Sequence, residues 1–125
     1  MFDASIAFHG LAVPDVEAAR AFYADTLGLP TSEEMGMLVL HLGSQNTIVY
    51  PKPDHVPATY TVLNFPVPDI DAAVDELAAR GVELVRYDGF EHDAKGIVRS
   101  DGTRGPHIAW FTDPAGNVHA VMQDA

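Results

Sequence analysis

The fold is decided by a short stretch that occurs twice, VPDVEAA at residues 13–19 and VPDIDAA at residues 67–73. In both copies the aspartate stands where a helix N-cap is expected, because its side chain can accept a free backbone N–H of the first turn. A β-prone run precedes each copy, over residues 5–13 and 59–67, and apolar residues at helical spacing follow it. The chain is therefore predicted to repeat one module.

Outward from these stretches, each predicted helix ends at a glycine and is followed by strands. Gly28 and Gly81 suit the left-handed position after a helix C-terminus. The predicted strands are residues 37–42, 46–50, 106–112 and 118–123. The polar, glycine-containing stretch 87–105 is too long for a tight turn and predicts an irregular loop.

Composition and charge narrow the class of protein. The 125 residues are 47% hydrophobic and 20% charged, which is typical of one globular domain. No apolar run reaches the ~18 residues of a membrane span, and the absence of cysteine excludes disulfides. A net charge of −11 disfavours the binding of nucleic acid and would attract a cationic ligand. An acidic surface can also do no more than keep a protein soluble. We expect a cytoplasmic protein that binds neither nucleic acid nor membranes.

Two groups of residues resemble the vicinal oxygen chelate superfamily, which contains glyoxalase I, the bleomycin- and fosfomycin-resistance proteins and the extradiol dioxygenases. They are the run from residue 13 through Phe22-Tyr23 to Leu27-Gly28-Leu29, and the tail FTDPAGN at residues 111–117. The resemblance implies an α+β domain of two tandem βαβββ modules that form a curved mixed sheet around a cavity. It makes residues 1–125 one domain, with module one over about 1–50, a linker at 51–58 and module two over about 59–125.

The positions that bind a metal in this superfamily hold other residue types here. The resemblance maps its strand histidine onto Phe8, the equivalent position of module two onto Val62, and its C-terminal glutamate onto Ala120. Residues 46–50, where glyoxalase-type members supply a further glutamate, contain no carboxylate or imidazole. A catalytic metal needs about three His, Asp, Glu or Cys ligands, so we predict no metal and no cofactor.

Two alternatives keep an enzyme open. His9 and His119 lie one residue from the superfamily positions and would build a relocated metal site if a bulge turned them inward. Without such a bulge, strand alternation directs them away from the cavity. Glu91, His92 and Asp93 in the long loop offer metal-free acid–base chemistry. The alternative function is a glyoxalase-like lyase or isomerase.

If side chains alternate regularly along the predicted strands, the candidate ligand-binding residues all face the cavity. They are Trp110, Phe8, Val62, Asn64, Ile108, Ala120 and Met122. The preferred function is a metal-independent protein that binds an apolar, aromatic or cationic organic molecule, as a homodimer that covers its strand edges. Two further readings stay open: Trp110 as a core residue, and a structural or partner-binding module with a filled cavity.

Overall fold

Each repeated stretch begins a helix in the computed structural model, which describes residues 1–125. Asp15 accepts two backbone N–H groups of its helix at 3.0 and 3.2 Å, and Asp69 accepts one at 3.1 Å. These contacts satisfy donors that a helix leaves without intrahelical partners. The chain divides into two units, Met1–Pro57 and Ala58–Ala125, and each contains one copy of the stretch.

The first unit is a four-stranded mixed sheet with one helix. In it β1 runs parallel to β4, whereas β4 and β2 run antiparallel to β3, in the order β1-β4-β3-β2. The elements are β1 (His9–Val13), α1 (Val16–Arg20), β2 (Thr31–Glu34), β3 (Met37–Leu42) and β4 (Gln45–Pro51). The helix contacts β3 and β4 and buries Ala19.

Two local features of the first unit differ from the sequence expectation. The first strand begins at His9 rather than Ser5, because Asp3 accepts the Ser5 N–H at 3.0 Å and holds Ala4–Ile6 in a 3₁₀ turn. The helix continues beyond Arg20 as a π-helical segment, Ala21–Thr26. Gly28 then adopts a φ of 70°, as predicted for the residue that ends this helix.

The second unit repeats this arrangement in the order β5-β8-β7-β6, with β5 parallel to β8 and the other pairs antiparallel. Its elements are β5 (Thr61–Pro66), α2 (Ile70–Ala79), β6 (Leu84–Val85), β7 (His107–Thr112) and β8 (Val118–Gln123). The prediction of an α+β fold with two similar modules is confirmed. Neither α-helix has the length and apolar character that a membrane crossing requires.

The two faces of the second sheet carry different residues. Phe111 pairs with His119, and their rings pack edge to face at 5.6 Å. Gln123 lies on the same face of β8 and accepts the Ile70 N–H at 2.8 Å, so α2 begins above this face. Trp110 pairs with Ala120 and therefore lies on the opposite face.

Candidate functional site

Trp110 is held in one orientation on β7. Its side chain is 9% exposed and packs with Val118 and Ala120. The indole N–H donates to the Thr61 hydroxyl oxygen at 3.1 Å, so the polar edge of the ring is satisfied within the protein. The ring itself, rather than its N–H, is therefore what other aromatic groups or a ligand can contact.

Three rings from the long loop surround Trp110. Tyr87 meets it edge to face, with ring centroids 5.2 Å apart and planes at 81°. Phe90 lies 5.3 Å away, tilted at 52°, and His92 lies 6.0 Å away. Such pairs contribute about 0.5–1.5 kcal/mol each beyond the area that they bury. The loop is therefore part of the Trp110 environment.

A depression of about 410 Å³ opens beside this cluster. Two of its rings are largely exposed, Tyr60 at 71% and Phe90 at 55%. The lining residues are Thr59, Tyr60, Thr61, Tyr87, Asp88, Phe90, Trp110 and Val118. Aromatic walls with a few polar groups are the usual composition of a small-molecule site.

Hydrogen bonds close the base of the segment that carries Phe90. His92 accepts the Tyr87 N–H on Nε2 at 3.0 Å, and its Nδ1 donates to the Gly96 carbonyl at 2.9 Å. The Arg86 guanidinium donates to two further loop carbonyls, those of Asp93 and Ala94, each at 3.0 Å. Both ring nitrogens of His92 are thus engaged in holding the loop.

Ion pairs attach the rest of the loop to α2. Arg99 contacts both oxygens of Asp71, at 2.9 and 2.7 Å, and donates to Asp93 at 2.9 Å. Lys95 reaches Asp75 and Asp71 at 3.0 and 3.5 Å. The hydrogen bonds from Arg99 lower the pKa of Asp71 to about 2.

Asp93 also accepts the N–H groups of two loop residues, at 2.9 Å each. Its carboxylate has a structural role in the loop.

The strand pairing brings five of the seven candidate residues to one face of the second sheet. Trp110 lies opposite Ala120, and Ile108 lies opposite Met122. Asn64 pairs with Ala120 across the parallel β5–β8 ladder. Directly paired residues share a face of the sheet, so these side chains are neighbours.

Val62 and Phe8 are placed differently. The β5–β8 register shifts between Thr61 and Leu63, so alternation cannot be counted through Val62. Counting from Asn64 would place Val62 on the Trp110 face, yet Thr61 is the residue that reaches Trp110. Phe8 belongs to the first unit, precedes β1, is 65% exposed and lines a second depression of about 410 Å³.

The ion that the superfamily implies does not fit the donors present. No group of three or more His, Cys, Asp or Glu side chains in the structure could hold a metal. His119 lies among Phe65 and Phe111 on the face opposite Trp110, whereas His9 is exposed in the first unit. His119 has one carboxylate nearby, that of Asp113, but neither histidine belongs to a group of three or more such side chains, so a relocated metal site has no support in these residues.

Several lining residues were missed from the sequence. Tyr87, Asp88 and Phe90 fall in the polar loop, and Tyr60 falls just before β5. The one available signal was two aromatic residues, Tyr87 and Phe90, within an otherwise polar segment. Their approach to Trp110 depends on the fold of the loop, for which no local pattern exists.

Comparison with known proteins gives a family match over most of the chain. The model described as the Glyoxalase/Bleomycin resistance protein/Dioxygenase superfamily matches residues 5–121. A search of curated protein sequences gives no match.

Solved structures with this fold come from proteins with different descriptions. The fosfomycin resistance protein FosX from Listeria monocytogenes has a TM-score of 0.72 at 14% identity, over 100% of this chain and 96% of that one. TnmS3, an antibiotic binding protein from Streptomyces sp. CB03234, has a TM-score of 0.67 at 24% identity, over 99% and 100%. Lactoylglutathione lyase from Agrobacterium tumefaciens has a TM-score of 0.64 at 23% identity, over 97% and 94%. These similarities show a shared fold.

Proposed function

This chain belongs to the glyoxalase/bleomycin resistance protein/dioxygenase superfamily, and we propose that it binds a small organic molecule without a metal. The ligand is apolar, aromatic or cationic, and it binds in the depression beside Trp110. One observation carries the proposal: a fixed tryptophan, two tyrosines and a phenylalanine line an open depression of about 410 Å³. Flat ligands stack on such walls.

Two further observations support binding rather than metal chemistry. Ala120 is fully buried and supplies no ligand atom, and no cluster of donors could replace the missing metal ligands. His92 and Asp93, the loop residues suited to acid–base chemistry, are engaged in holding the loop. Among the similar structures, one is described as an antibiotic binding protein and another as a fosfomycin resistance protein.

The proposal includes the rest of the sequence prediction. The face with Asn64, Ile108, Ala120 and Met122 continues the Trp110 surface. Val62, at the register shift, and Phe8, which lines a depression of the first unit, stay predictions from the sequence. We further propose that residues 1–125 act as one domain, in a cytoplasmic homodimer. The absence of cysteine suits a reducing compartment.

Trp110 provides the test, because it is the only tryptophan and its emission reports on one place. A library of flat aromatic compounds, neutral and cationic, should contain members that change this emission and protect the ring from aqueous quenchers. Trp110→Ala removes this fluorophore, so its binding is measured by isothermal titration calorimetry; the variant should bind such a member about tenfold or more weakly, a loss of about 1.4 kcal/mol. Binding should be unchanged after treatment with a chelator, and elemental analysis should find no stoichiometric divalent metal.

The control is Phe2→Ala, which removes an exposed aromatic ring outside the depression and should leave binding unchanged. If Trp110 is a core residue only, no compound will perturb its emission and Trp110→Ala will lower the free energy of unfolding by about 3–5 kcal/mol. A tightly held metal would contradict metal independence. Turnover of a bound compound would favour the alternative lyase or isomerase.

A further inference from the structure

Resting on the proposed function, we propose that the Trp110 depression selects an organic cation and that Asp88 is the residue that discriminates it from a neutral ligand. The site would take a flat or compact ammonium, pyridinium or quinolinium group. Its charge would lie against the exposed rings and within reach of the Asp88 carboxylate.

Asp88 is the one charged residue among the eight that line the depression. It is exposed and takes part in no hydrogen bond or ion pair of the structure. Among the basic residues in and beside this loop, Arg86 donates to backbone carbonyls, and Lys95 and Arg99 pair with carboxylates of α2. Arg104, also in the loop, forms no ion pair with Asp88. The carboxylate therefore lacks a cation from within its own loop.

The rings present surfaces that suit positive charge. The indole N–H of Trp110, its positive edge, is bonded to Thr61, so the remaining contact that Trp110 offers is its π-system. Tyr60 and Phe90 add two largely exposed rings. The faces of Trp, Tyr and Phe carry negative potential and attract cations within about 6 Å. A carboxylate beside such rings favours a cation over a neutral molecule of equal shape.

The net charge of the second unit also favours a cationic ligand. It contains eleven acidic and five basic side chains, a formal charge of −6. A depression lined by one sign of charge concentrates ligands of the opposite sign. An anionic ligand would meet Asp88 with no basic side chain in the lining to offset it.

The test compares two flat two-ring probes, N-methylquinolinium and the neutral N-methyl-2-quinolone. Binding is followed by the single indole N–H signal of Trp110 in ¹H–¹⁵N spectra. The cation should bind about tenfold more tightly than the neutral probe, as a cation over rings and beside a carboxylate implies. Raising the ionic strength from about 0.02 to about 0.3 M should weaken the cation and leave the neutral probe unchanged.

Asp88→Asn should remove most of this preference. Its matched control, Glu83→Gln, loses the same charge in the same unit outside the depression and should keep the preference. Equal affinity for both probes, or an equal effect of the two variants, would overturn the assignment of Asp88 while the binding function stands. If neither probe and no member of the library of flat aromatic compounds affects Trp110, the binding function fails, and this inference with it.

Discussion

His119 is a buried residue whose charge state is set by its surroundings. It is fully buried, with Phe111 and Phe65 packed edge to face against its ring at 5.6 and 6.3 Å. Burial lowers its pKa to about 4, and the nearby Asp113 carboxylate opposes that shift. The imidazole is therefore neutral in the folded protein near neutral pH.

We expect the protein to lose stability as the pH falls from about 6.5 to about 4. In this range the unfolded imidazole binds a proton and the folded one does not, so the unfolded state binds more protons. The depressed pKa corresponds to about 3 kcal/mol of unfolding free energy, fully present above pH 6.5. Urea unfolding followed by Trp110 emission, at steps from pH 7.5 to 4.5, measures it.

The slope of unfolding free energy against pH identifies the group. His119→Leu should flatten the slope, whatever its effect on stability at pH 7.5. His9→Gln, at an exposed histidine, should leave the slope unchanged. A slope that persists in the His119 variant would assign the effect to another residue. The lowered pKa of Asp71 contributes only at the acid end of this range, because the unfolded carboxyl, with a pKa near 3.8, binds few protons above about pH 5.

At the scale of elements, the loop after β6 holds its shape through contacts with its own backbone and with α2. Asp93 connects both sets, because it accepts the Lys95 and Ile97 N–H groups and pairs with Arg99. The Ile97 side chain is itself fully buried. The loop is thus a fixed wall of the Trp110 site, stabilised by polar contacts around one carboxylate.

Asp93→Ala should loosen this wall without unfolding the sheet. The amides of Lys95 and Ile97 lose charged acceptors, and hydrogen bonds of that kind contribute about 1.5–3 kcal/mol each. Hydrogen exchange at both amides should accelerate about tenfold or more. Asp101→Ala is the matched control, because Asp101 lies in the same loop but accepts the Thr103 N–H rather than those of Lys95 and Ile97. Unchanged exchange in the Asp93 variant would contradict the role given to this carboxylate.

The elements that the sequence predicted best are those with strong local patterns. The strand predicted over 118–123 is β8, and that over 106–112 differs from β7 by one residue. Two strands lacked such patterns: β2, Thr31–Glu34, is polar and mostly exposed, and β6 has two residues. Periodicity cannot identify an edge strand that buries no face.

The site could be predicted only where strand alternation governs it. Trp110, Ile108 and Ala120 follow that rule on regular strands. The bulge at Val62 breaks it, and bulges have no signature in one sequence. Phe90 and Asp88 reach the depression through a loop held by Arg99 and Asp71, which lie 28 residues apart in sequence. Contacts at that separation leave no local pattern.

At the scale of the whole molecule, both sheets have open edges. The first ends at β1 and β2 and the second at β5 and β6. The first unit also exposes apolar side chains near its N-terminus, including Phe2, Ile6 and Phe8. Exposed strand edges and apolar side chains are surfaces that proteins commonly cover by association.

We expect a homodimer, with a mass by light scattering of twice the 13.5 kDa of one chain. Ile6→Asp should raise the dissociation constant about tenfold or more, because burying a charge replaces burying an apolar side chain. Ile6→Leu keeps the apolar character and should behave as the unchanged protein. A monomer at high micromolar concentration would contradict the homodimer, and a dimer indifferent to Ile6→Asp would place the interface elsewhere.

The position of β8 in the second sheet has a consequence for synthesis on the ribosome. This last strand lies between β5 and β7, and Gln123 supplies the acceptor for the first turn of α2, 53 residues earlier. β5 therefore has no strand partner, and α2 lacks this acceptor, until nearly all of the second unit has left the exit tunnel. The first unit has all its strands by Pro51 and is free to fold while the second is still being translated.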